Sequence, residues 1–169
     1  MQSAARTAGV TAIELLITMA IAAILLAIAV PSYKYVTTSN RMSSEINGLL
    51  GDMQFARYEA IKQGVPITIC ATGGTDACSV GAPWNSGWVV LSPTSPNPTT
   101  PLRSQPAFTS GDAVAAALQS ISFNREGFAN TGLTELTLTD ATGNAAYTRC
   151  LWIGTSGLLY TGPTTGVTC

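Results

Sequence analysis

From Leu15 to Tyr33 the chain reads LLITMAIAAILLAIAVPSY, an apolar run that carries no charge before Lys34. A helix over 10–30 rises about 1.5 Å per residue and would extend roughly 30 Å, the thickness of a bilayer's hydrocarbon core. A cleaved signal peptide, a plain membrane anchor and an assembly helix all begin this way. A signal peptide has a basic start, an apolar core of about 7–15 residues and a small-residue cleavage site after that core. This run is longer, and only Arg6 precedes it. It also carries Glu14 near its start. An acid in an apolar helix costs about 2.5–3.5 kcal/mol at the bilayer centre and less near its edge, so it calls for a partner. One partner is the positive end of the helix dipole, worth a few tenths to about 1 kcal/mol. A signal peptide or simple anchor needs no such acid.

The residues around Glu14 narrow the choice. Gly9-Val10-Thr11-Ala12-Ile13-Glu14-Leu15-Leu16 resembles the cleavage motif of type IV pilins, written G-F-T-L-I-E-L, with Val10 in place of the usual Phe and Ala12 in place of Leu. The resemblance implies that a membrane prepilin peptidase cuts after Gly9 and methylates the new N-terminal Val10. It also implies that Glu14 serves assembly by neutralising the α-amino group of a neighbouring subunit, and that Pro31 stands where the family commonly lets the helix bend. Cleavage in the family depends mainly on the glycine, so processing is expected despite Val10.

Beyond Lys34 the helical pattern becomes amphipathic. Met42, Ile46, Leu49, Met53, Ala56 and Ala60 alternate at spacings of four and three, giving one apolar face to set against a head domain. Arg41, Glu45, Asp52, Arg57, Glu59 and Lys62 fall mostly off that stripe and are expected to meet solvent or neighbouring subunits. A coiled coil is disfavoured by Gly48 and Gly51, each costing about 1 kcal/mol in a helix. Gly64 and Pro66 mark the helix end.

The remainder reads as short β-rich segments bounded by turn residues: 67–70, 88–91, 120–123, 136–139, 149–153 and 158–160. Gly154-Thr155-Ser156-Gly157 suggests a hairpin between the last two. The stretch 92–106 holds five prolines and reads as an exposed loop. The head also resembles the GspH/FimT group of minor pilins and pseudopilins, in the W-x3-W-V-V run Trp84 to Val90, the I-S-F-N-x-x-G run Ile121 to Gly127, and a Cys-bearing strand followed by G-x-S-G at Gly154 to Gly157. The resemblance implies a long N-terminal helix packed on antiparallel sheet, and a low-copy filament component.

Four cysteines remain, at 70, 78, 150 and 169. Their spacings are not those of a zinc site, and the chain has no His to complete one. A head carried across the inner membrane would lie in an oxidising compartment, which favours disulfides. Three connectivities are open, and the pairs Cys70 with Cys78 and Cys150 with Cys169 are favoured because each closes a local loop. A loop of about 20 residues contributes roughly 3 kcal/mol.

The chain contains no His-based triad, G-x-S-x-G, P-loop or supported carboxylate pair, so no catalytic residue, metal site or cofactor is expected. Net charge is −1 and only 10% of residues are charged, about half the usual share, so no strong field draws in nucleic acid. Some FimT-type pilins take up DNA through a basic C-terminal G-R-x-R loop, which this chain lacks. Its tail beyond Arg149 has no Lys or Arg, and Arg103 and Arg125 look isolated.

The expected class is α+β. Residues 1–9 are a leader, 10–33 a transmembrane and assembly helix, 34–63 an amphipathic helix entering the head, and 64–169 a periplasmic β-rich head. The expected function is a minor pilin that primes or caps a type IV pilus. A type II secretion pseudopilin is the alternative, and a DNA-binding minor pilin is disfavoured. The expected partners are other minor and major pilins or pseudopilins, the prepilin peptidase and the bacterial inner membrane.

Overall fold

The computed structural model describes residues 9–93, 101–163 and Cys169. All of the leader except Gly9, and residues 94–100 of the Pro-rich stretch, therefore lie outside the described residues.

One helix, α1, runs Ala12–Gln63 over 52 residues and keeps Pro31 in its interior. Lacking an N–H, Pro31 leaves the carbonyl of Ala27 without its intrahelical donor. The chain divides into two compact units, one ending at Thr38 and the other running Ser39–Cys169. In the first unit no side chain of the apolar stretch is covered by the chain itself: Ile17, Ile24 and Ile28 are all more than half exposed. The most apolar 18-residue window of α1 has a mean hydropathy of 2.7 and is 0% buried. Thr18 donates to the carbonyl of Leu15 at 2.9 Å, so a hydroxyl inside this stretch is satisfied by its own helix. That is the condition a hydrocarbon environment imposes on polar groups.

In the second unit the helical stripe does what its spacing predicts. Met42, Ile46, Leu49, Met53, Ala56 and Ala60 are all buried. Gly64, at φ 68°, ends the helix, and its N–H donates to the carbonyl of Ala60 at 3.0 Å. The head carries eight strands: β1 (Ile67–Ala71), β2 (Trp88–Leu91), β3 (Arg103–Gln105), β4 (Ala113–Ala116), β5 (Ser120–Phe123), β6 (Thr134–Thr139), β7 (Arg149–Ile153) and β8 (Leu159–Pro163). They form two four-stranded sheets, ordered β3-β2-β1-β5 and β4-β6-β7-β8, and every pairing is antiparallel. Ile67, Ile69, Val90, Ile121 and Phe123 from the first sheet share one core with Leu136, Leu138, Leu151 and Ile153 from the second and with the α1 stripe. Burying each large aliphatic side chain contributes about 1.5–3 kcal/mol.

Two strands depart from the sequence expectation. Arg103–Gln105, within the stretch read as a loop, is an edge strand in which Ser104 stands opposite Val89. Ala113–Ala116 lies outside the six expected strands, and it pairs with β6 through Val114 opposite Leu138. Neither segment has β-forming side chains enough to announce itself, and both take their conformation from the strand beside them.

The disulfides join Cys70 to Cys78 and Cys150 to Cys169, with Cα–Cα separations of 5.4 and 5.7 Å. The first closes the loop that holds Gly73, Gly74 and Asp76. The second ties Cys169 to β7. The G-T-S-G segment is the β7–β8 turn, closed by the Gly157 N–H donating to the Gly154 carbonyl at 2.9 Å. At Gly157 (φ 74°) a Cβ would collide with the carbonyl of Gly127, so the turn has room only for glycine.

Candidate assembly site

Gly9 and Val10 are exposed and precede the first helical residue. Thr11 caps α1: its hydroxyl accepts the Glu14 N–H at 3.3 Å, and its carbonyl accepts the Leu15 N–H at 3.2 Å. Glu14 therefore sits in the first turn, where the unpaired N–H groups of the helix favour negative charge. Thr11-x-x-Glu14 has the spacing of a capping box, and that spacing is the local signal for the role of Thr11. The structure thus brings Gly9, Val10 and Glu14 together at one helix end. Pro31 lies farther along the same helix, and the four cysteines lie in the head.

Asp52 and Glu59 correct the expectation that the charges beside the stripe face solvent, whereas Arg41 and Lys62 are exposed as expected. Asp52 is only 3% exposed; it accepts the Trp88 indole N–H at 2.9 Å and an Arg103 N–H at 2.7 Å. Arg103, far from isolated, also lies 4.2 Å over the ring of Phe55. It thereby fastens the edge strand β3 to α1. Trp88 in turn meets Phe108 edge to face at 5.7 Å. Glu59, also buried, accepts from Gln63 at 2.7 Å and from Lys62 at 3.0 Å. Those two bonds, Gln63 first, hold its carboxyl below the ordinary glutamate value. Arg41 makes a bidentate pair with the fully buried Asp112 at 2.8 and 3.0 Å. The Arg57 Nε donates to the Gly127 carbonyl at 3.0 Å, and Arg149 reaches Ser39 at 2.9 Å. Arg125 is paired with its neighbour Glu126 at 2.8 Å.

Glu45, Asp52 and Glu59 recur every seven residues, so all three flank the apolar stripe on one side. That interval is the signal that would have marked Glu45 and Asp52 as partners of the head. Among the described residues, no group of three or more His, Cys, Asp or Glu side chains converges as a metal site.

An uncovered apolar helix carrying one acid in its first turn, joined to a two-sheet antiparallel head, defines the class of type IV pilin-like subunits. The family model described as type II transport protein GspH matches residues 45–157, and the chain belongs to that family. Its role is that of a minor pilin or pseudopilin, a structural subunit that assembles with others of its kind. The fold is also similar to two crystal structures of the type IV minor pilin FimU from Pseudomonas aeruginosa strain PAO1. The space group P65 form has a TM-score of 0.58 at 22% identity, over 72% of this chain and 92% of that one. The P21 form has a TM-score of 0.61 at 21% identity, over 73% and 90%. No curated protein matches the chain.

Proposed function

We propose that the chain is a minor pilin of the type IV pilus that primes or caps filament assembly. The peptide bond between Gly9 and Val10 is cut by the prepilin peptidase, and Val10 is then N-methylated. Before assembly the subunit spans the bacterial inner membrane once, with its head in the periplasm. On assembly, Glu14 neutralises the α-amino group of Val10 in a neighbouring subunit. A desolvated pair of this kind contributes register and choice of partner more than stability. Pro31 gives α1 a place to bend.

The observation that carries this reading is the uncovered apolar half of α1 with its single acid. Nothing within 4 Å would meet a Cβ at Gly9, so packing within the chain does not explain a glycine there, whereas recognition by a peptidase does. The subunit is a connector and not an enzyme. Ser156, the one residue that a G-x-S-G pattern brings forward as a nucleophile, lies in the β7–β8 turn, and the chain has no His to serve as its base. DNA capture is disfavoured because the head's arginines already serve internal carboxylates, hydroxyls and carbonyls, leaving no basic track among the described residues.

The test is to express the chain with a prepilin peptidase and weigh the product. A mature chain beginning at Val10 is expected, whereas a full-length chain recovered in the presence of active peptidase would overturn the cleavage. The second reading, a pseudopilin of type II secretion, is favoured by the description of the matching family. Deleting the gene separates the two: lost piliation supports the pilus, and lost protein secretion with intact pili supports the pseudopilus.

A further inference from the structure

Among the described residues, Glu45 is the only carboxylate with a buried oxygen that has no hydrogen-bond partner. Its Oε1 accepts from the Ser110 hydroxyl at 3.0 Å and lies 4.0 Å from the Arg41 Nε, while Oε2 is the unpartnered atom. The same Nε stands 2.8 Å from Oδ2 of Asp112, whose side chain is entirely shut off from solvent. Oδ1 of Asp112 accepts from Arg41 Nη2 and from the Ala141 N–H, each at 3.0 Å.

Two carboxylates therefore share one guanidinium, and one negative charge is left over if both are ionised. Among the described residues no other cation relieves it. Arg149 is turned to Ser39 and Ser43. Asp140, which also feels the charge of Arg41, is itself a carboxylate. The cavity wall beside Glu45 is built from Gly48, Trp88, Gln105 and Phe108, none of which carries charge.

We propose that Glu45 and Asp112 hold one proton between them in the folded head, forming a proton-operated clasp between α1 and the segment that leads into β4. The proton sits on Oε2 of Glu45 and is donated to Asp112, which gives the orphan oxygen its partner and leaves one charge against Arg41. Burial, together with the neighbouring Asp112, raises the Glu45 carboxyl above its ordinary value, although the Ser110 bond and Arg41 pull the other way. A carboxyl raised in the folded state contributes stability that is present below its unfolded value and is lost as pH rises through its folded value. A rise in pH through that folded value therefore loosens the clasp, and with it the Ser110–Asp112 segment.

The full-length chain in detergent micelles tests this through thermal melts from pH 5 to pH 8.5. Glu45→Gln, which supplies a permanent donor in place of the proton, is expected to raise Tm by about 2–4 °C at pH 8.5 and to leave it unchanged at pH 5. An equal or lower Tm at pH 8.5 would overturn the clasp. Should the variant fold poorly, a carboxyl-carbon NMR titration of the unmodified chain tests the same proton directly. A Glu45 midpoint above the ordinary glutamate value supports the clasp, and one at or below it overturns the clasp.

Discussion

The two halves of α1 use the same secondary structure to opposite ends. In the first half, over the apolar stretch 15–30, every side chain is exposed among the described residues, so packing within the chain does not constrain the sequence there. In the second half, from Ser39 to Gln63, one stripe is sealed in a core, and of the acids along its flank Asp52 is held by Trp88 and Arg103 from distant strands, Glu45 by Ser110, and Glu59 by Lys62 and Gln63 of its own helix. Residues in the first half can therefore change without altering the folded head, whereas residues in the second half cannot. The difference separates what the chain needs for folding from what it offers to other subunits.

The largest expected effect comes from exchanging equivalent truncations between the halves. Leu49→Ala removes a fully buried side chain and should cost roughly 2–5 kcal/mol in chemical denaturation of the head. Ile17→Ala, at a position 55% exposed, should leave that transition within about 0.5 kcal/mol. Similar losses at both sites would break the comparison. Next in size is Asp52→Ala, which strands the Trp88 indole N–H and the Arg103 guanidinium together. It should cost about 2–3 kcal/mol in the same assay, and Asp52→Asn should recover part of the loss by keeping an acceptor for Trp88.

A smaller, pH-dependent effect is expected at Asp140. Burial alone would raise its carboxyl, but bonds from the Thr142 hydroxyl and from the Asn144 and Thr142 backbone N–H groups outweigh it and hold it low. A depressed carboxyl contributes stability that is present above its unfolded value and is lost as pH falls through its folded value. Asp140→Ala should therefore cost about 1 kcal/mol at pH 7, with the gap to the unmodified chain closing in strong acid. At the low end, Arg125→Ala breaks an exposed pair between adjacent residues and should leave the melting transition unchanged.

How much of this was legible in the sequence follows the same division. The apolar run, the buried stripe from Met42 to Ala60 and six of the strands announce themselves through hydropathy, periodicity and β-branched content. β3 and β4 do not, because Arg103-Ser104-Gln105 is polar and Ala113–Ala116 is mostly alanine. Their conformation is set across the sheet by β2 and β6. The buried acids escaped for a related reason: a charge beside an apolar stripe reads as solvent-facing until the strands that supply Trp88 and Arg103 are in place. At the assembly end, Glu14 was legible by its setting in an apolar run, but its capping by Thr11 shows only in a spacing of three.

The central claim is that Glu14 serves assembly and not folding. Glu14→Ala, made in the full chain, is measured for recovery in sheared filaments and, in micelles, for the melting transition of the head. The account predicts severe loss from filaments with a head transition unchanged within about 1 °C, since the site is remote in sequence from every residue of the core. Normal incorporation of Glu14→Ala, or filament loss accompanied by an unfolded head, would contradict it.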